Sequence, residues 1–279
     1  MVQPLPEAYR LDPADPRSPT EAQWAAMSPE ERARVVAMLP SEGPLELEPP
    51  PEGDPHRIAK TRTADTLDAF FRRIGRKIYI SSELGVFYPG EPRFSPDVLA
   101  VLDVELRERD RWVVVDEGKG LDLVIEVHYG GDEDKDYKTN VERYANLGIQ
   151  EYFIFNRARL SLRGYRLPPA EQGRSKRARA YRPIVPQGGR YTSGVLGLDL
   201  CVEANKLRFL LGMAPVPEAE ELIGKLESAL NDVLLHKQEA EDLAAAEAAR
   251  AEAEAARSRA LEQELAEARA EIERLKRGR

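Results

Sequence analysis

Two apolar runs separated by an amphipathic segment constrain the fold of this chain more than any other feature. Residues 121–127 read LDLVIEV and residues 151–156 read EYFIFN. Continuous apolar runs of this length are typical of strands in the middle of a sheet. Between them, residues 136–147 have the apolar spacing of a helix, and Gly148 follows as a terminator. Two strands joined by one crossover helix are expected to run parallel, so the sequence predicts an α/β fold.

Further segments extend this unit into a mixed sheet flanked by helices. Apolar residues on one face predict a helix over residues 56–74. These residues are Ile58, Leu67, Phe70, Phe71 and Ile74. A strand is expected over residues 77–89, with a break near Gly85, and another begins after Pro96, which could not lie inside a central ladder. Later strands are expected within residues 160–167, 180–185 and 191–210.

The segment before this unit is expected to be an appendage. Residues 1–54 are rich in proline and acidic residues and end in LELEPPPEGDP, which predicts an extended linker. Ser28 as N-cap, Pro29 at the first helical position and Glu31 predict one short helix with a capping box. We expect that helix to pack against the main domain, residues 55–212.

The last segment, residues 218–277, is dominated by Ala, Glu, Arg and Leu and predicts a long helix. One heptad register runs along it, which indicates a coiled coil with another chain. Its seam consists of Leu226, Leu230, Val233, Ala240, Ala244, Ala251, Leu261, Leu265, Ala268, Ile272 and Leu275. A homo-oligomer is therefore expected. The alternative is a solvated single helix held by Glu to Arg pairs, because the middle of the seam is mostly alanine.

Composition restricts the function without choosing it. The net charge of -8 argues against a protein that coats nucleic acid nonspecifically, although residues 174–182 carry five basic side chains. This stretch is either a solvated loop or a phosphate contact. The single cysteine, Cys201, excludes an internal disulfide and a cysteine-based zinc site, so any metal should be a hard cation on oxygen ligands. Neither a membrane span nor a signal peptide is indicated, and a cytoplasmic location is expected.

Two carboxylate residues occupy positions in the sequence from which they could bind such a cation. Asp97 follows Pro96 at the mouth of a strand, a position that a strand-capping aspartate also occupies. Glu126 lies between branched apolar residues of a central strand, where an unpaired charge costs several kcal/mol. Its partner could be a structural Arg or Lys, the backbone or a metal ion. Glu83 is a candidate third carboxylate for the metal, or a strand-edge glutamate.

A nearby ammonium would complete a phosphodiester hydrolase, since it could stabilise charge that develops on the phosphate. Lys135 and Lys138 follow Glu126 in the next loop and the first turn of the next helix. Either lysine could instead be a surface residue among the acids at that helix start. His128 is expected on the same side of the strand as Glu126, as a satisfied neighbour of the acidic group. His56 is expected to cap or pack the first long helix.

The order of several motifs resembles the Uma2 family, a group of restriction-endonuclease-like proteins with the PD-(D/E)XK nuclease fold. The motifs are HRIAKTRTADTLDAFF, SSELGVFYPGEPRFSPDVLAVLDVE, LDLVIEVHYGGDEDKD and NVERYANLGIQEYFIFN, and the likeness spans roughly residues 20–212. The resemblance implies an endonuclease that acts on DNA with Mg²⁺ (or Mn²⁺), held by Asp97 and Glu126. It also implies a C-terminal extension of the coiled-coil type.

The resemblance breaks down at the lysine. The nuclease motif has its lysine two residues after the acid, where this chain has His128. The family commonly moves that lysine into the following helix, four residues before the tyrosine that matches Tyr144, and Asn140 stands there. Lys138 is the first choice for a displaced lysine. The alternative function is a catalytically inactive nuclease-fold module that acts as a coiled-coil assembly or DNA-associated adaptor.

Overall fold

A computed structural model of the protein describes residues 9–41, 53–169 and 179–277. The chain divides into two compact units, residues 1–219 and residues 220–279. Most of the predicted linker at residues 45–55, and residues 174–178 of the basic stretch, lie outside the described residues.

The first unit contains three sheets and five helices among its described residues. The helices are α1 (Glu21–Ala26), α2 (Pro29–Met38), α3 (Asp54–Ile74), α4 (Val114–Glu117) and α5 (Asn140–Leu147), with a π-helical turn at Lys135–Thr139. The strands are β1 (Ile78–Ser81), β2 (Gly85–Phe87), β3 (Val98–Leu102), β4 (Arg111–Val113), β5 (Leu123–His128), β6 (Glu151–Asn156), β7 (Ser161–Arg166), β8 (Arg182–Pro183), β9 (Tyr191–Ser193), β10 (Leu198–Glu203), β11 (Lys206–Leu211) and β12 (Ala214–Pro215).

The main sheet has six strands in the order β1-β3-β5-β6-β7-β8. β5 and β6 are parallel, with Glu126 beside Ile154, while their outer neighbours β3 and β7 are antiparallel to them. The π-helical turn and α5 form the crossover between β5 and β6. The predicted mixed α/β architecture is confirmed. The remaining strands form a four-stranded sheet, β12-β11-β10-β9, and a parallel pair, β2-β4.

Alternation along β5 divides the core into two layers. Ile125 and Val127 pack in one apolar cluster together with Phe71 of α3, and that cluster also includes residues of β10 and β11. Val124 packs in the other cluster, which includes Tyr144 of α5. Because side chains of a strand alternate between faces, Glu126 and His128 emerge on the α5 side of the sheet.

The amino-terminal helices pack on this domain as expected. Ser28 caps α2, and its side chain accepts a hydrogen bond from the Glu31 amide in the predicted capping box. Trp24 and Val35 form a small apolar cluster with Phe87 of β2. Trp24 belongs to α1, a helix that was not predicted from the sequence. Thr20 and Gln23 form a second capping box at the start of this helix. A six-residue helix shows too little periodicity for recognition by pattern alone.

The long helix α3 occupies the predicted segment, but its predicted apolar face is wrong at both ends. Leu67, Phe70 and Phe71 are buried, whereas Ile58 is 40% exposed and Ile74 is 51% exposed. The buried face near the amino end is instead formed by smaller and polar residues. These are Ala59, Lys60, Thr63 and Ala64. The burial of a lysine on this face brings α3 into the candidate site.

The second unit consists of one helix, α6 (Ala219–Arg277), 59 residues long. The predicted helix is confirmed. Its large apolar side chains that the structure describes are exposed, among them Leu226 at 70% and Leu261 at 59%. No helix within the described ranges is long and apolar enough to cross a membrane.

Candidate active site

Asp97 and Glu126 come together because β3 and β5 are antiparallel neighbours. Val98 pairs with Ile125 across these strands, so the next residues outward are Asp97 and Glu126. The Asp97 amide donates a hydrogen bond to Glu126 Oε2 at 3.2 Å. The Val127 amide donates to Asp97 Oδ2 at 2.8 Å. The strand register therefore fixes two carboxylates side by side.

Glu126 is held in an environment that opposes its charge. The residue is 4% exposed, and Tyr144 donates a hydrogen bond from its hydroxyl to Glu126 Oε1 at 2.7 Å. Burial first, and then the negative charge of Asp97, raise the pKa of Glu126 to about 8, although the Tyr144 hydrogen bond and the charge of Lys135 act in the opposite direction. At neutral pH this carboxyl group is therefore mostly protonated unless a further positive charge approaches it.

Asp97 remains ionised beside it, because it has partners of its own. His56, in the first turn of α3, places Nε2 3.2 Å from Asp97 Oδ2. Burial raises the pKa of Asp97, but the hydrogen bond and charge of His56, together with the Val127 amide, outweigh burial and lower it. His56 thus contacts the site. Sequence reasoning gave it only a capping or packing role, since a separation of 41 positions in the sequence hides this contact.

Glu83 lies at the same edge, joined to α3 by a buried lysine. Its backbone is left-handed, with φ of 55°, and its amide donates to the carbonyl oxygen of Pro96. Lys60 Nζ donates to Glu83 Oε1 at 2.5 Å. The Lys60 side chain is 3% exposed, whereas that of Glu83 is 63% exposed. Sequence reasoning missed Lys60; its place one helical turn after His56 was the available signal.

The two lysines singled out by sequence lie in different surroundings. Lys135 begins the π-helical turn, and its charge lowers the pKa of Glu126. The Lys138 side chain is 71% exposed and forms an ion pair with Asp134 at 2.8 Å. That hydrogen bond and the charge of Asp134 raise the pKa of Lys138. Both lysines are exposed, but the charge of Lys135 acts on Glu126, whereas that of Lys138 is paired with Asp134.

A family assignment follows from comparison of the whole sequence. Residues 26–195 match the family model of Uma2, which is described as "Putative restriction endonuclease". The match spans more than half of the chain. The chain belongs to the Uma2 family. The predicted family and its restriction-endonuclease-like nuclease class are confirmed, together with the mixed α/β fold and the long C-terminal helix.

The chain is similar to one solved crystal structure from Anabaena variabilis, described as "a putative nuclease belonging to DUF820". It is 14% identical in sequence, with a TM-score of 0.42, and the alignment covers 57% of this chain and 83% of that chain. At this TM-score the likeness carries no argument about function. No curated protein matches the chain.

Both positions at which a Uma2 lysine was expected belong to one polar network around Asp136. His128 Nδ1 lies 3.0 Å from Asp136 Oδ2. Asn140 donates from Nδ2 to Asp136 Oδ1 at 3.3 Å, and Tyr152 donates its hydroxyl to the Asp136 carbonyl oxygen at 3.0 Å. The residues that replace lysine are thus engaged with an aspartate that stands beside Glu126 and helps to raise its pKa.

The donor set fits a magnesium ion only in part. Among residues 9–41, 53–169 and 179–277, no group of three or more His, Cys, Asp or Glu side chains forms a metal cage. Mg²⁺ does not require such a cage, because one or two carboxylates, water and substrate phosphate commonly complete its octahedron. Asp97 and Glu126 supply two hard oxygen donors. Burial, and then the charge of Asp97, raise the pKa of Glu126, and a bound cation would favour its ionised form.

Proposed function

We propose that this Uma2 protein is an endonuclease that hydrolyses DNA phosphodiester bonds with a divalent cation, Mg²⁺ or Mn²⁺, held by Asp97 and Glu126. One observation carries the proposal. Two carboxylates meet at one end of the central sheet, and the pKa of the buried one is raised to about 8. Buried acids with strongly perturbed pKa values cluster at functional sites.

The surrounding side chains fix the orientation of both candidate ligands. Tyr144 holds Glu126 Oε1, so that oxygen cannot turn freely, while the Val127 amide and His56 hold Asp97 Oδ2. Such hydrogen bonds to ligand carboxylates orient them and tune their basicity. A bound divalent cation would polarise the phosphate and lower the pKa of water. Glu83, tied to Lys60, is the candidate third carboxylate.

For the group that neutralises charge on the phosphate we propose Lys135 ahead of Lys138. Lys135 acts electrostatically on Glu126, whereas the ammonium of Lys138 is paired with Asp134. Lys60 is a buried lysine at the Glu83 side of the site, and its ammonium is paired with Glu83. Preorganised cations beside a phosphate stabilise the charge that develops on it.

The test combines metal binding with cleavage. Purified protein is titrated with Mn²⁺ by calorimetry, and nicking of supercoiled plasmid is measured with Mg²⁺ and with Mn²⁺. Asp97→Asn and Glu126→Gln should each lose both signals. Asp65→Asn, at an exposed position of α3, is the matched control and should keep them. Normal Mn²⁺ binding by Asp97→Asn or Glu126→Gln would refute the metal assignment.

The catalytically inactive module remains the second candidate, favoured by the engagement of His128 and Asn140 with Asp136. In this case the protein would act as an assembly or DNA-associated adaptor. It would bind DNA in a gel-shift assay, without nicking plasmid in either metal. Restoring the family lysine through Asn140→Lys is expected to increase nicking in an enzyme and to leave an adaptor inactive.

We also propose that the chain forms a homo-oligomer through α6. The seam residues are exposed in the single chain, for example Leu230 at 56% and Leu265 at 53%. Burial of such side chains is favourable by about 1.5 kcal/mol or more apiece. Light scattering should show a dimer for the full chain and a monomer for a chain that ends near Pro217. A full chain that stays monomeric at micromolar concentration would exclude self-association, and a solvated single helix would be the outcome.

A further inference from the structure

The helix α6 carries charged residues in its own apolar seam. When the register of Leu226, Leu230 and Val233 is continued by heptads, charged side chains occupy three seam positions. These are Lys237, Glu247 and Glu254. All three are exposed in the single chain, so their environment depends on what covers the seam. Charged seam residues weaken a coiled coil but select its partner and register.

A parallel pair in register would place each of these residues against its own copy. Lys237 would face the partner's Lys237, and the same would hold for Glu247 and Glu254. Three layers of like charge would lie in one seam, and like charges placed opposite each other are unfavourable. The sequence of α6 therefore disfavours the parallel, in-register dimer.

We propose that two copies of α6 pair in antiparallel orientation, with Lys237 of each chain against Glu254 of the other. The inference rests on the proposed self-association and adds its orientation and register. In an antiparallel pair each a position lies against a d position of the partner, so Lys237 and Glu254 can share a layer. The twofold symmetry of the dimer produces this ion pair twice.

The same register also places compatible side chains opposite each other along the rest of the seam. Four apolar layers lie beside the ion pair: Leu230 with Leu261, Leu226 with Leu265, Ile223 with Ala268 and Ala219 with Ile272. A fifth layer places Val233 against the small polar Ser258. In the middle, Ala240 lies against the partner's Ala251, and Glu247 lies against the partner's Ala244. The third charged residue thus meets a small side chain rather than a second carboxylate, and it can extend toward water.

A shift by one heptad gives an antiparallel competitor. In this shifted register Lys237 faces the partner's Leu261, and Glu254 faces the partner's Ala244. It avoids like charges, but it leaves every charged seam residue without an opposite charge, so the register with Lys237 against Glu254 differs from it by two ion pairs.

The opposite shift by one heptad places Lys237 against the partner's Glu247 and keeps two ion pairs. It also places Glu254 against the partner's Leu230, which puts a charge against an aliphatic side chain twice in the dimer. The register with Lys237 against Glu254 combines the ion pairs with more aliphatic layers, and for that reason we favour it.

Cysteine cross-linking of the full chain tests orientation and register together. In a Cys201→Ser background, Ala240→Cys and Ala251→Cys are prepared separately, and light scattering first establishes that each is a dimer. Under mild oxidation neither variant alone should cross-link, while an equilibrated mixture of the two should form the disulfide dimer. Ala240→Cys mixed with Ser258→Cys, which are level in the shifted register, is the matched control and should stay uncross-linked.

Charge reversal supplies a second readout. Lys237→Glu should weaken the dimer at least about tenfold, because it creates two Glu to Glu contacts. Adding Glu254→Lys should restore the dissociation constant to within about threefold of the wild type, because the ion pairs return with opposite polarity. Circular dichroism of both variants checks that the helix persists, since Lys237 also pairs with Glu241 in its own helix at 3.6 Å.

The outcomes separate this inference from the one on which it rests. A monomeric full chain overturns self-association itself. A dimer in which Ala240→Cys cross-links alone is parallel, and cross-linking of Ala240→Cys with Ser258→Cys shows the shifted register. Either result overturns the pairing of Lys237 with Glu254, as does a double charge reversal that fails to restore the dimer.

Discussion

Glu126 and Glu151 are buried carboxylates on adjacent parallel strands, and their surroundings differ in kind. Glu151, 1% exposed, begins β6 and binds Arg166 at 2.6 Å, the Ser193 hydroxyl at 2.5 Å and the Gly194 amide at 2.9 Å. Glu126 lies toward the carboxyl end of β5, with a second carboxylate as its neighbour. Both acids accept hydrogen bonds, but only Glu151 has a cation of the fold as its ion-pair partner. A buried acid paired with a cation is therefore structural, and one whose charged neighbour is a second carboxylate is a candidate ligand.

The positions of Glu126 and Glu151 along the two parallel strands agree with a candidate ligand role for the first and a structural role for the second. Glu151 pairs with Leu123, at the amino end of the parallel pair, whereas Glu126 pairs with Ile154, nearer the carboxyl end. Binding sites of open α/β sheets lie outside the carboxyl ends of their strands.

Asp97→Ala and Glu126→Ala should each abolish metal-dependent nicking, because each removes a proposed ligand. We expect plasmid nicking to fall by at least about 100-fold while the fold persists. Circular dichroism checks the fold. The Glu151→Gln variant is the control and should keep nicking activity at any temperature at which it is folded. Full nicking by Asp97→Ala or Glu126→Ala would refute our distinction between Glu126 and Glu151.

Glu151→Gln should lower the free energy of unfolding by roughly 1.5–3 kcal/mol, because Arg166 loses its carboxylate and the donors at Ser193 and Gly194 lose a charged acceptor. Urea denaturation measures the loss. Glu142→Gln, at an exposed position of α5, is the control and should change stability little. Equal effects of both substitutions would show that Glu151 contributes no special stability.

Glu126 should make the metal-free protein less stable as pH rises. Its pKa is about 8 in the folded chain, above its ordinary value of 4.5, so the folded state binds more protons between these values. Stability should fall by up to about 1.4 kcal/mol per pH unit in this window and level off above pH 8. Glu126→Gln should remove this slope and raise the melting temperature at pH 7.5. Parallel pH profiles of the two proteins, measured by urea denaturation, would contradict the assignment.

Substitutions of Lys135 and of Lys138 should change the rate of nicking by different amounts. Lys135→Met should reduce single-turnover nicking on the order of 100-fold with little change in Mn²⁺ affinity, because it removes charge from the phosphate rather than a ligand. Lys138→Met, with its ammonium already paired to Asp134, should have an effect of about twofold or less. The reverse order would assign the role to Lys138, as its place in the sequence suggested.

The smallest effect is expected at the edge of the site. Lys60→Met should leave Glu83 without its buried partner and lower nicking by about tenfold, less than the loss of a ligand. Glu83→Gln should have a similar effect if the pair acts as a unit. A loss of activity with Lys60→Met that Glu83→Gln does not share would indicate that the ammonium acts on the phosphate directly.

The sequence by itself determined most of the local structure. The capping box at Ser28, the left-handed Gly148 after α5 and the parallel pairing of β5 with β6 were all predicted. These features depend on propensity and periodicity over a few residues, which a sequence displays directly. Asp97 and Glu126 were also identifiable, because an acid in an apolar strand or directly after a proline stands out from its neighbours.

Only the tertiary structure decided which side chains share the site. His56 meets Asp97 across 41 residues of sequence, and Lys60 meets Glu83 across 23. Our preference for Lys135 over Lys138 depends on the ion pair of Lys138 with Asp134 and on the effect of the Lys135 charge on Glu126. These contacts result from strand register and from how α3 packs on the sheet. The packing of segments that are distant in the sequence determines these contacts, and no local sequence pattern indicates them.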